Sequence, residues 1–135
     1  MTRTSMLLAD SSTWVEFLRG TGSPAAIRMR AAISDDEVTV IDPILLEVMA
    51  GTRSAIVDRT LRLIEAQHFE ALEPRRDWLS AASIYRELRR RGITIRSQLD
   101  AVIAVVAIRL DIPVLHRDRD FDLIAQHTPL RVAVI

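Results

Sequence analysis

The sequence predicts an α/β fold, a three-layer sandwich with a central, mostly parallel sheet of four to five strands between helices. Three observations carry this. Short apolar, β-branched runs alternate with amphipathic segments along the chain, the order that builds βαβ units. The 135 residues match one ordinary domain, 1–135. Apolar residues make up 49% of them, enough to bury a core without disulfides or a structural metal.

Met6 to Ala9 reads as the first buried strand, ending at Asp10. Ser11, Ser12 and Thr13 offer cap chemistry to a short helix through Trp14, Phe17 and Leu18, stopped by Gly20 and Gly22. Ser23-Pro24 starts a second helix, to about Ile33. Val38 to Ile41 is strand two. Asp42-Pro43 reads as cap plus proline for a helix over Ile44–Ala50, and Ser54 to Gln67 has helical spacing. Phe69 to Leu72 is the third strand. Asp77 to Arg91 is an amphipathic helix with Trp78, Leu79, Ala81, Ala82, Ile84, Tyr85 and Leu88 as its apolar set and Gly92 beyond its end. Ser97 or Gln98 opens a helix over Ala101–Leu110, apolar nearly all round and therefore central. Pro113 to Leu115, Asp120 to Gln126 and Arg131 to Ile135 complete the order as strand, helix and final strand.

Composition excludes several chemistries. There is no Cys, hence no disulfide scaffold, zinc ribbon or thiol nucleophile. There is no Lys, hence no Walker-type phosphate loop, no Schiff base, and no receiver domain, which needs a lysine near its acids. No apolar run approaches the roughly 20 residues of a membrane span. With no signal segment visible, the expectation is a cytoplasmic protein without a membrane partner.

The informative residues are acids beside apolar segments. Asp10 follows strand one. Asp118 and Asp120 follow the strand ending at Leu115. Glu47 interrupts Ile44-Leu45-Leu46-Glu47-Val48-Met49, and Asp100 opens the apolar helix. In a parallel sheet, ligands bind outside the carboxyl ends of the strands. Each acid alone has a structural reading: Asp10 and Asp118 as helix caps, Asp100 on a helix dipole, Glu47 on a helix surface. Together they would repel one another unless a cation neutralises them, and oxygen ligands suit Mg²⁺ or Mn²⁺.

Leu7-Leu8-Ala9-Asp10-Ser11-Ser12, the isolated Glu47, Ser97-Gln98-Leu99-Asp100 with Ile103-Ala104, and His116-Arg117-Asp118-Arg119-Asp120-Phe121 together resemble a PIN-domain ribonuclease. More narrowly they resemble the VapC toxins of bacterial toxin–antitoxin pairs, over essentially the whole chain. The resemblance implies that Asp10, Glu47, Asp100 and Asp118 are the acidic site residues, with Asp120 a less constant addition and Ser12 a hydroxyl within the site. Asp122 lies outside the motif. Relatives carry Thr or Ser near His116 and Arg117, so His116 could be a strand-end residue or a general base.

The resemblance also implies RNA hydrolysis with Mg²⁺, Mn²⁺ being possible. Asp10, Asp100 and Asp118 would hold the principal ion, and Glu47 and Asp120 a second ion or the attacking water. It implies a VapB-type antitoxin that places a basic side chain at the acids, and a homodimer through the segments around Trp14–Leu18 and Ile44–Ala50. A PIN nuclease outside such pairs and a non-catalytic PIN-like module are the alternatives. RNA contact would fall to Arg: Arg86, Arg89, Arg90, Arg91 and Arg96 cluster before Asp100, with Arg117 near the last acids. Trp14 and Trp78 read as core. Setting five acids in the site leaves 13 against 18 Arg, so a neutral total conceals an acidic cleft in a basic surface.

Overall fold

The computed structural model describes residues 5–135. Met6 to Ala9 is apolar, and three of its residues form β1 (Leu7–Ala9). It pairs in parallel with β2 (Val38–Val40) on one side and β4 (Val114–Leu115) on the other, and β2 pairs in parallel with β3 (His68–Phe69). The order β3-β2-β1-β4 means that the chain leaves β1 in one direction and returns to its other side. Asp10 therefore stands at the topological switch between β1 and β4, the crevice where parallel sheets bind ligands. Every residue of β1, β2 and β4 is buried, as a sheet covered on both faces requires.

Among the described residues the helices are α1 (Ser11–Leu18), α2 (Pro24–Ser34), α3 (Asp42–Ala50), α4 (Val57–Glu65), α5 (Arg76–Arg90), α6 (Gln98–Leu110) and α7 (Arg119–His127). The α6 helix is central, as its all-round apolarity predicts: Asp100 to Ala107 are all buried. It packs against α5, α7 and α3, while α1 packs against α2 and α3. Gly92 closes α5 at φ 80°, with Ile93 N–H on the Leu88 carbonyl and Gly92 N–H on that of Arg89, a left-handed stop that disfavours any side chain.

Several expectations are corrected. Residues 131–135 form no fifth strand; a single parallel bridge joins Val132 to Val114, and Val134 and Ile135 stay exposed because no neighbour covers them. The third strand is His68–Phe69, the register that opposes Thr39 and Val40. Ile41, not Asp42, is the N-cap of α3; it donates no side-chain cap, and Asp42 instead sits in the first turn, where its charge favours the dipole. Residues 54–67 divide into a 3-10 turn, Ser54–Ile56, and α4. The apolar set of α5 is wider than the face α6 can cover, so Trp78 is 48% exposed and Leu79 is exposed too, while Trp14 is wholly buried.

Asp77 is the buried ion of this layer. Burial opposes its charge, but Arg109 donates to it from Nε (3.1 Å) and Nη2 (2.8 Å), the Glu73 N–H donates at 2.8 Å, and its carboxyl is held below the usual range. This clamp ties α5 to the end of α6. Asp77→Ala leaves a guanidinium and an amide without their acceptor and is expected to cost about 3 kcal/mol, read as a lower midpoint in urea.

Candidate active site

Four segments deliver carboxylates to the carboxyl edge of the sheet. Asp10 caps α1: its Oδ2 accepts from Ser12 N–H (3.2 Å) and Ser12 Oγ (2.8 Å). Ser12 Oγ in turn accepts from Arg117 N–H at 2.9 Å, and Thr13 Oγ1 donates to the Leu115 carbonyl at 3.0 Å. These bonds fasten the start of α1 to the end of β4. Cap and site residue are thus the same side chain in Asp10, with Oδ2 capping α1 and Oδ1 left without a donor, and the two sequence readings coincide. Glu47 is half-buried on α3, Asp100 is buried in the first turn of α6, and Asp118 caps α7 by accepting from Asp120 N–H at 3.0 Å. Asp10, Glu47, Asp100 and Asp118 line one open cleft of about 590 Å³, together with Ser11 and Ser12.

Asp100, Asp118 and Asp120 each bring an oxygen within 4.8 Å of the others, a spacing a single cation can span. Asp120 thus groups with Asp100 and Asp118, while Glu47 stands beside Asp10. Among the described residues four buried side-chain polar atoms lack a partner, and two of them, Asp10 Oδ1 and Glu47 Oε1, belong to this cleft. A buried oxygen without a donor is costly, and a hard cation supplies what is missing. The donors are carboxylates only, which fits Mg²⁺ or Mn²⁺.

The electrostatics agree. Burial pushes the Asp100 carboxyl up, the charges of Asp10, Asp118, Glu47 and Asp120 add to this, and it reaches about 8. Burial raises Asp10 against the hydrogen bonds of Ser12, and raises Glu47 with Asp10 as the second cause. Three acids of one cleft therefore have their charged forms disfavoured for want of positive charge, Asp100 most of all.

Arg96 answers part of that want. It precedes the Ser97 cap of α6, and its Nη2 donates to Asp118 Oδ1 at 2.6 Å. Its Nε and backbone N–H both donate to Asp120 Oδ2, at 3.3 and 2.9 Å. Arg96 thus pairs with both Asp118 and Asp120, while Arg119, between them in sequence, is exposed at the start of α7. Arg117 turns outward to Glu16 at 3.3 Å. Arg90 and Arg91 pair with Glu87 on their own helix. Arg86, Arg89 and Arg96 line a groove of about 630 Å³ between α5 and α6, with Trp78, Tyr85 and Leu99 as apolar wall, and Ser97 borders both groove and cleft.

His116 is not free to act as a base. Its buried ring accepts Asp118 N–H at Nδ1 (2.9 Å), so Nε2 carries the hydrogen and donates to Asp122 Oδ1 at 3.2 Å. Both nitrogens are used, and the ring leans on Phe121 at 5.3 Å. His116 holds Asp118 in place; Asp122 is its exposed partner. Ser11, Thr13, Glu16 and Ser97 complete the surroundings. Ser11, Thr13 and Ser97 carried a signal only as helix-cap candidates and Glu16 carried none; the contact of α1 with β4, which local spacing does not reveal, brings Thr13 and Glu16 to the site's edge.

A carboxyl raised by folding from about 3.9 to about 8 stabilises the fold below the lower value and loses that contribution as pH climbs to the higher one. Without divalent ions, Tm is expected to fall between pH 4 and 8. Asp100→Asn should flatten the slope and raise Tm at pH 8, read by calorimetry in chelator.

The chain matches the PIN domain family over residues 7–126. It is 40% identical over 131 residues to a VapC ribonuclease of Mycobacterium bovis and, equally, to ribonuclease VapC11 of Mycobacterium tuberculosis, covering 95% of this chain and 98% of each relative. In fold it is similar to the VapBC2 complex of Rickettsia felis bound to promoter DNA, with TM-score 0.71 and 10% identity over 95% of this chain and 97% of that one. It is similar also to VapC20 of Mycobacterium tuberculosis, a toxin that cleaves the sarcin–ricin loop, with TM-score 0.61 and 20% identity over 93% and 98%. With its acids at the switch point of a parallel sheet, the chain belongs to the PIN-domain family, among the VapC ribonucleases.

Proposed function

We propose that this chain is one PIN domain acting as a metal-dependent endoribonuclease, the toxin of a toxin–antitoxin pair, which hydrolyses phosphodiester bonds in structured RNA such as tRNA or rRNA loops and so stops translation. The observation that carries the reading is the convergence of Asp10, Glu47, Asp100 and Asp118 with two buried carboxylate oxygens left without donors. Asp100, Asp118 and Asp120 would hold the principal Mg²⁺ or Mn²⁺, and Asp10 and Glu47, which share the cleft with Asp100 and Asp118, would hold a second ion or the attacking water. A divalent ion there supplies positive charge to the pentavalent transition state and eases ionisation of the attacking water. Glu47 and Asp10, which line the same cleft, would orient that water and take up its proton. Ser12 keeps Asp10 on the cleft side of β1 through its bond to the Arg117 amide.

The α5–α6 groove supports an RNA path to the cleft, with Arg86 and Arg89 on phosphates. Trp78, exposed there, supports stacking by an unpaired base, a role its helical spacing does not suggest. The VapBC complexes among similar structures support a VapB-type antitoxin as partner. Leu46, 63% exposed on α3, supports a homodimer through the α3 face; Trp14 takes no part, being buried. Among the described residues no helix is long and apolar enough to cross a membrane.

Asp100→Asn is expected to abolish RNA cleavage while circular dichroism shows an intact fold, and chelator should silence the wild type until Mg²⁺ or Mn²⁺ is restored. Normal cleavage by the variant would refute the assignment. In the Asp100→Asn background, Arg89→Ala should weaken binding of a single-stranded RNA and lower the slope of log K against log salt by about 0.7, one phosphate contact, as read by fluorescence anisotropy.

A further inference from the structure

Arg96 lies where two regions meet. Its guanidinium closes on Asp118 and Asp120, two of the three acids whose oxygens approach within 4.8 Å, and its side chain also lines the α5–α6 groove. The side chain is 73% exposed, so it is held by these two carboxylates rather than by packing. The backbone N–H of Arg96 bonds Asp120 independently of the side chain. The guanidinium can therefore leave while the loop stays anchored. Nearer the floor of the cleft, Asp10 Oδ1 and Glu47 Oε1 are buried and receive no donor, so Arg96 answers only the outer acids.

We infer that Arg96 is an internal occupant of the cation site, which a divalent ion must displace, and that displacement delivers the guanidinium to the groove as a phosphate ligand. The inference rests on the metal-site reading above and adds a competitor within the chain itself. A divalent ion bound there competes with the guanidinium for Asp118 Oδ1 and Asp120 Oδ2, and because these carboxylates are largely buried (side chains 20% and 6% exposed) the repulsion between the two cations is little screened. The groove is the direction open to the displaced side chain, since it lines that cavity and Ser97 joins groove to cleft. An RNA phosphate arriving there meets Arg86, Arg89 and a free Arg96 only once the metal is in place. Metal loading and substrate affinity are thereby coupled through one side chain.

The test is Mn²⁺ binding, followed by calorimetry and by the electron paramagnetic resonance signal of free Mn²⁺, for wild type, Arg96→Gln and Arg96→Lys. Arg96→Gln is expected to bind Mn²⁺ roughly fivefold more tightly than wild type, the scale of one exposed ion pair, with Arg96→Lys in between. In nitrogen–proton spectra the Arg96 Nε–H signal, assigned by its loss in Arg96→Lys, should shift as diamagnetic Mg²⁺ is added. Equal or weaker Mn²⁺ binding by Arg96→Gln with an unchanged melting temperature would overturn the inference while leaving the metal site standing. So would a wild-type Nε–H signal that stays fixed at saturating Mg²⁺. Failure of both wild type and Arg96→Gln to bind Mn²⁺ would overturn the metal-site reading and this inference with it.

Discussion

The constraint on which the rest depends is like-charge repulsion at the carboxyl edge of the sheet. Five acids approach one another around an open cleft in which Asp10, Asp100 and Asp120 are themselves buried, and a fold that gathers them needs other bonds to hold them. Asp10 is held through Ser12 to the backbone of Arg117, Asp118 through His116 and the start of α7, and Asp120 through the Arg96 loop. None of these bonds spans a long flexible side chain except that of Arg96 itself. Asp10, Asp118 and Asp120 are thus fixed by hydrogen bonds through short side chains and backbone, and the cost of the acids' proximity falls on protonation, most of all at Asp100.

The same economy of parts joins fold and site. The caps of α1 and α7 are Asp10 and Asp118, and the first turn of α6 contains Asp100. Helix termini favour short polar side chains there whether or not any chemistry follows. The parallel sheet places those termini at one edge, and the order β3-β2-β1-β4 opens a crevice between β1 and β4. A site of this kind requires little beyond what helix starts in an α/β sandwich already supply.

Much of this was legible in the chain. The strand cores, the central α6 and the Gly92 stop follow from apolar runs and turn chemistry, which are local. The four cleft acids stood out because charge beside apolar sequence is rare without a reason. Residues whose role is set by contacts between distant segments were not legible. Arg96 reads as one of a cluster of arginines, yet it alone reaches the last acids, because the Ser97 cap turns its loop toward α7. Trp78 fits a helical apolar stripe, yet α6 is too narrow a neighbour to cover it. The tail at 131–135 has strand composition, but a β-branched run becomes a strand only where an edge accepts it, and β4 offers it a single bridge.

The double use of Asp118 has an evolutionary consequence. Removal of its carboxylate strips α7 of its cap as well as the cleft of a ligand, so a change to Ala disarms the chain and frays its last helix together. Asn caps a helix about as well as Asp does but binds a hard cation poorly. Lineages that abandon this chemistry while keeping the fold have one inexpensive route at this position, and descendants that became binding proteins should carry Asn there.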